Sequence, residues 1–320
     1  MWIFLLGCTS LGPIELCTST GIWDLSTSEV YTSIQDAMES RVEDICLGPG
    51  TYAMPCGQFE DTPIRISGAG NELTELRSSD CPQAHFNAEG DYLLEDVAIT
   101  GAGFFIDMSP WGHAQLNDVL VRDLNLDARP PESGWDDVII LAGDVDIDGL
   151  EVRDSVLPSG FFSMGYSGGT VQDLWVHDNL DRSSSSFEFD GIDLDGVRIE
   201  GNPRSDPTQN TYMLYLDNST LRDLSFGDNA DAHVWVNNHT TISEAHFFDS
   251  PGESGRLFHV ESGSSLTLNA TEVIQSGGVN LSRDATLFLQ NTELPDLECP
   301  ILCSETCLAP AAEVICPGPF

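Results

Sequence analysis

Ile147-Asp148-Gly149-Leu150-Glu151-Val152-Arg153-Asp154 recurs along the chain in altered spelling. Its form is apolar, any, Asp or Gly, apolar, any, apolar, any, Asp or Gly. Upstream copies are Leu94-Glu95-Asp96-Val97-Ala98-Ile99 and Leu116-Asn117-Asp118-Val119-Leu120-Val121-Arg122-Asp123. Downstream come Val171-Gln172-Asp173-Leu174-Trp175-Val176-His177-Asp178, then copies from Leu194, Leu221 and Ile242, and weaker ones from Leu268 and Leu289. Starts lie 21 to 31 residues apart, with a mean near 24. A period of roughly 20–50 residues signals a solenoid, propeller or array, and propeller blades need about 40. Each unit carries short strands and turn residues but no helical period, which excludes all-helical repeats. The fixed Leu/Asn framework of leucine-rich repeats is missing. A coil of three short strands fits the length. One coil cannot bury its own apolar face, but stacked coils can. Positions four and six should point inward and positions five and seven outward, because side chains alternate along a strand. Asp and Gly at positions three and eight suit corners that need left-handed backbone.

Upstream of the repeats, Ile34, Ala37, Met38 and Val42 share one helical face, and Thr32 with Gln35 fits a capping box, so a helix is expected over 32–42. Ile45-Cys46-Leu47 follows as a short buried strand and Gly48-Pro49-Gly50 as a turn. Ser33-Ile34-Gln35-Asp36-Ala37 through Gly48-Pro49-Gly50-Thr51-Tyr52 resembles the opening of pectin-lyase-like proteins. Ile64-Arg65-Ile66-Ser67-Gly68-Ala69-Gly70 resembles their next coil. The resemblance spans residues 31–298. It implies an all-β, right-handed parallel β-helix with a short N-terminal capping α-helix. It implies no particular activity, since that superfamily holds lyases, hydrolases, esterases and adhesins.

The chain has 320 residues, with 52 Asp and Glu against 12 Lys and Arg, a net charge of −40. All twelve basic residues are Arg. Such a surface repels phosphate backbones and anionic membranes, which argues against nucleic-acid binding. The acid excess has two readings: solvation of the surface, or Ca²⁺ binding by clustered carboxylates. No cofactor is required by the sequence; Ca²⁺ is the one it could use.

The nine cysteines cluster at the ends. Cys8 closes Ile3-Phe4-Leu5-Leu6-Gly7-Cys8, which resembles the lipobox of a bacterial lipoprotein with a shortened leader. That resemblance implies export to the extracellular space or outer membrane, with a lipid anchor on Cys8. The alternative is a buried apolar strand. Cys17, Cys46, Cys56, Cys81, Cys299, Cys303, Cys307 and Cys316 are then disulfide candidates, four near each end, with connectivity open. No apolar run is long enough to span a bilayer. The expected organisation is a signal over 1–8, a leader over 9–30, the β-helix over 31–298 and a Cys-rich cap over 299–320, in a monomer.

Stacking the register lines up candidate site residues. Arg122, Arg153 and His177 share the seventh column, Trp175 and Arg198 the fifth, and Asp154 and Asp178 the eighth. Together they form the one outward face where positive charge and an aromatic interrupt the acid. A saccharide groove would use Trp175 for stacking and Arg198 for carboxylate or hydroxyl oxygens. A lyase or glycoside hydrolase would use Arg122, Arg153, His177, Asp154 and Asp178 as its acid–base set. Structurally, the same residues could simply be ion pairs diluting a negative field. Asp144, Asp146 and Asp148 alternate along a strand and, with Asp190, Asp193 and Asp195, are the candidate Ca²⁺ ligands. Trp135 is a further ligand-binding candidate beside Asp136-Asp137, paired carboxylates like those of glycosidases. The chain nevertheless lacks the Gly-His-Gly and Arg-Ile-Lys motifs of polygalacturonases. The expected function is therefore a non-catalytic glycan- or surface-binding protein, with a uronate-directed lyase or hydrolase as the alternative.

Overall fold

A computed structural model describes residues 17–55, 64–78, 85–88, 91–101, 105–108, 113–124, 139–157, 162–181, 187–203, 213–229, 234–249, 256–274, 278–282, 285–292 and 312–315. The chain winds into a parallel β-solenoid with three sheets running along it. In the first sheet, Ile45, Ile66, Leu94, Leu116, Ile147, Val171, Leu194, Leu221, Ile242, Leu268 and Leu289 are successive register partners. Every repeat start read from the sequence, weak copies included, therefore stacks on the next. The second sheet stacks Leu76, Ile99, Val121, Val152, Val176, Ile199, Phe226, Phe247 and Val273. The third runs from Phe86 through Ile106, Leu141, Met164, Phe189, Leu216, Val236 and Val260 to Leu281.

The inward positions form one continuous core. Val119, Leu150, Leu174 and Val197 at position four are at most 1% exposed, as are Val121, Val152, Val176 and Ile199 at position six. Towards the C-terminal end the core turns aromatic: Phe247 lies between Phe226 (ring centroids 5.9 Å apart) and Phe258 (4.8 Å, edge-on).

Both acidic corner columns prove to be left-handed backbone. At position three, φ is positive for Asp96, Asp118, Gly149, Asp173, Gly196, Asp223 and Glu244. At position eight it is positive for Asp123, Asp154, Asp178, Gly201, Asp228 and Asp249. Asp and Gly interchange there because both tolerate this conformation. Asn218 and Asn238, which begin glycosylation-like sequons, hold the same conformation at another corner.

Position nine, just past the second corner, holds a buried polar ladder. Asn179 Nδ2 donates to Asn202 Oδ1 (3.1 Å) and Asn202 Nδ2 to Asn229 Oδ1 (3.0 Å). The backbone N–H of Ser155 donates to Asn179 Oδ1 in the same sense (3.0 Å). Each amide also ties down carbonyls beside it: Asn179 takes those of Val152 and His177, Asn202 those of Val176 and Glu200. A buried amide is tolerated only when its donors and acceptors are satisfied, and repetition by coil achieves this.

Three expectations need correction. The helix runs only over Ile34–Glu39. Its N-cap is Ser33, whose hydroxyl accepts from Asp36 N (3.0 Å). Thr32 instead donates to the Asp36 carboxylate and Gln35 to Glu39, so no capping box forms. The leader over 9–30 contains a strand of the first sheet, Ile22–Asp24, which pairs antiparallel with Asp44–Leu47. At the far end, Ala312–Ile315 pairs antiparallel with Thr286–Gln290. An exposed parallel edge invites further pairing, and at each end of this sheet an antiparallel strand occupies it. Lastly, positions five and seven are not exposed throughout. Ala98, Leu120 and Thr100 are buried, as is Gly227. Strand alternation sets only which way a residue points, not whether something packs over it.

Candidate functional site

Register places the expected residues in two adjacent rows on the second sheet. The fifth-position row reads Glu151, Trp175, Arg198, Ser225; the seventh reads Arg122, Arg153, His177, Glu200. In the seventh row every side-chain nitrogen of Arg153 and His177 meets a carboxylate, whereas Nε of Arg122 is buried without a hydrogen-bond partner among the described residues. Arg153 meets Glu151 through Nε (3.0 Å), Asp154 through one terminal nitrogen (3.0 Å) and Glu72 through the other (2.9 Å). Partial burial opposes its charge, but the Asp154 hydrogen bond and the charges of Glu151 and Glu72 outweigh it and raise its pKa. His177 contacts Asp178 through Nδ1 (2.7 Å) and Glu151 through Nε2 (3.1 Å). Arg122 lies within 3.9 Å of Glu75 and 3.7 Å of Asp123. A guanidinium held in its charged form by three carboxylates is poorly suited to accept a proton from a sugar carbon.

The fifth row differs. Trp175 is 42% exposed, with its ring stacked on His177 (centroids 4.0 Å, planes 25° apart). Its neighbour Arg198 forms no ion pair or side-chain hydrogen bond among the described residues. Both line a cleft of about 290 Å³ shared with Asn71, Asp118, Gly149, Glu151, Asp173 and Gly196. Gly149 and Gly196 are there for space as well as backbone. A Cβ on Gly149 would sit 2.9 Å from Asp118 Oδ1, and one on Gly196 2.8 Å from Asp173 Oδ1. Each glycine thus leaves room for the carboxylate of the coil before it. Sequence reading placed Trp175 and Arg198 here but missed Asp118 and Asp173, treating position three only as a corner. The Asp-Gly-Asp-Gly order from 118 to 196 was the available signal.

Two of the candidate Ca²⁺ ligands, Asp146 and Asp195, are otherwise engaged. Asp146 Oδ1 accepts from Thr170 N (3.0 Å) and Oγ1 (2.6 Å), and its Oδ2 lies 3.3 Å from His113 Nε2. Asp148 is exposed, and only the backbone of Asp144 is described. Asp195 pairs with Arg222 (2.7 Å). Burial raises the pKa of Asp190, and neighbouring Asp217 raises it further. Among the described residues, no group of three His, Cys, Asp or Glu side chains is placed to hold a metal ion. Cys17 and Cys46 are disulfide-bonded. Trp135, Asp136, Asp137, Cys8, Cys56, Cys81, Cys299, Cys303, Cys307 and Cys316 lie outside the described residues. No described helix is long and apolar enough to cross a membrane. No protein-family model, no curated protein and no solved structure matches this chain.

Proposed function

We propose that this chain is an exported, non-catalytic saccharide-binding protein of the pectin-lyase-like β-helix type. The observation that carries this is the exposed Trp175 beside Arg198, which has no partner among the described residues, both lining the cleft. An indole offers a flat apolar face to a sugar ring, and a guanidinium without a protein partner can donate to ring and hydroxyl oxygens. Open clefts with an aromatic wall and a few polar groups suit such ligands. The Arg153–His177 row, the natural seat of a lyase, spends its donors on carboxylates of the protein. Support for export comes from the Cys17–Cys46 disulfide, a bond that persists in oxidising compartments. The lipobox-like segment ending at Cys8 fits a bacterial lipid anchor.

The test is an oligosaccharide titration followed by tryptophan fluorescence, with wild type and Trp175→Ala side by side. Saturable binding that the variant loses, at unchanged Tm, supports the proposal. Release of unsaturated sugar products in an absorbance assay on uronate polymers would replace it with the lyase alternative.

A further inference from the structure

The charges around the cleft narrow the class of saccharide, granted that the cleft binds one. Its wall carries three carboxylates, Asp118, Glu151 and Asp173, against the single guanidinium of Arg198. Glu151 is already shared by Arg153 and His177. Asp118 and Asp173 make no ion pair or side-chain hydrogen bond among the described residues, and each has a glycine in the next coil keeping its carboxylate clear. The whole chain adds a net charge of −40. A polyuronate entering here would meet, among the described residues, two uncompensated carboxylates for the one guanidinium, and its own carboxylates would be repelled.

We infer that the Trp175 cleft selects an amine-bearing saccharide, an oligomer of hexosamine units with free ammonium groups, over uronates. An ammonium group brings three donors and a full charge to carboxylates that lack partners. It also gains from the indole face of Trp175, since cations are attracted to the electron-rich face of an aromatic ring. Asp118 and Asp173 are two coils apart, about 9.6 Å at the usual strand spacing. That spacing lets alternate amines of one extended chain each reach a carboxylate, with the sugar at the Asp173 end lying against Trp175 of the same coil. Arg198 then serves the neutral hydroxyls.

The experiment titrates the full chain with three hexasaccharides: glucosamine hexamer at a pH where its amines are charged, its fully N-acetylated counterpart, and hexagalacturonate. Asp118→Asn/Asp173→Asn is the variant, since Asn keeps the left-handed corners. The glucosamine hexamer should bind about tenfold tighter than its acetylated form, lose about that factor in the variant, and weaken with added salt. Equal binding of the acetylated form would overturn the charge selection and leave the saccharide site standing. Tighter binding of the galacturonate would overturn the inference outright. Binding of none of the three would remove the saccharide site, and this inference with it. A shift in Tm of the variant separates misfolding from lost contacts.

Discussion

The fifth and seventh rows of the second sheet lie on the same strands, two residues apart, and use their charges in opposite ways. Around Arg153 and His177, cations and carboxylates satisfy one another, with Glu151 Oε1 as the shared acceptor. Around Trp175, the charges of Arg198, Asp118 and Asp173 have no partner among the described residues, and the corner glycines keep space beside the two carboxylates. A cationic patch in a chain this acidic is therefore no pointer to a site in itself. Its pairing state is. The twist lies in the boundary, because Glu151 belongs to both rows and stiffens one while lining the other.

The largest expected effect comes from beneath the seventh row. Asn202→Ala breaks the ladder: it removes the acceptor of the buried backbone N–H of Asn179 and the side-chain donor to the carbonyls of Val176 and Glu200. It should cost about 3 kcal/mol in denaturant unfolding, the scale of several buried polar groups left unpaired. A cost under about 1 kcal/mol would mean that the rows hold without the ladder. Trp175→Ala should weaken saccharide binding by about 2 kcal/mol while leaving stability nearly unchanged, as expected for an exposed aromatic anchor. Gly196→Ala should lose about 1 kcal/mol of stability and narrow the cleft, because its φ is +70° and the new Cβ meets Asp173. Arg153→Met should cost at most about 1 kcal/mol and leave binding intact, since its pairs are partly solvated. Binding that collapses in Arg153→Met would merge the two rows into one site.

The smallest effect is a pH dependence. Burial raises the pKa of Asp96, and stacked Asp118 and adjacent Glu95 raise it further. A carboxyl whose folded pKa exceeds its unfolded value favours folding when protonated and loses that contribution as pH rises through the folded value. Asp96→Asn should therefore raise Tm slightly at neutral pH, and the gain should vanish on acidification. A gain that grows in acid would refute the assignment.

Much of this was legible because a solenoid writes the same sentence repeatedly. Two-residue alternation and the recurring start residue were enough to set the stacking register, down to the weak copies at Leu268 and Leu289. The rows followed from the register, so Arg153, His177, Trp175 and Arg198 fell beside one another as expected. Their pairing did not follow, because Glu72 comes from a turn with no place in the repeat. The ladder escaped notice because the repeat was read to position eight, where Asp-Asn and Gly-Asn look like ordinary turn chemistry. Leu120 and Ala98 misled in the other direction: their positions point outward, yet both are buried.

The alternation of Asp118, Gly149, Asp173, Gly196 and Asp223 down one corner has a consequence for how such a chain can grow. Each carboxylate there sits opposite a hydrogen, and like charges are kept from neighbouring rungs. The pattern lapses at both ends, at Asp96 on Asp118, where the carboxyl of Asp96 is already harder to ionise, and at Asp223 on Glu244. Excising the coil that carries Gly149 would set Asp118 directly against Asp173, whereas excising two coils would restore the order. In this stretch the unit that can be duplicated or lost without penalty is a pair of coils.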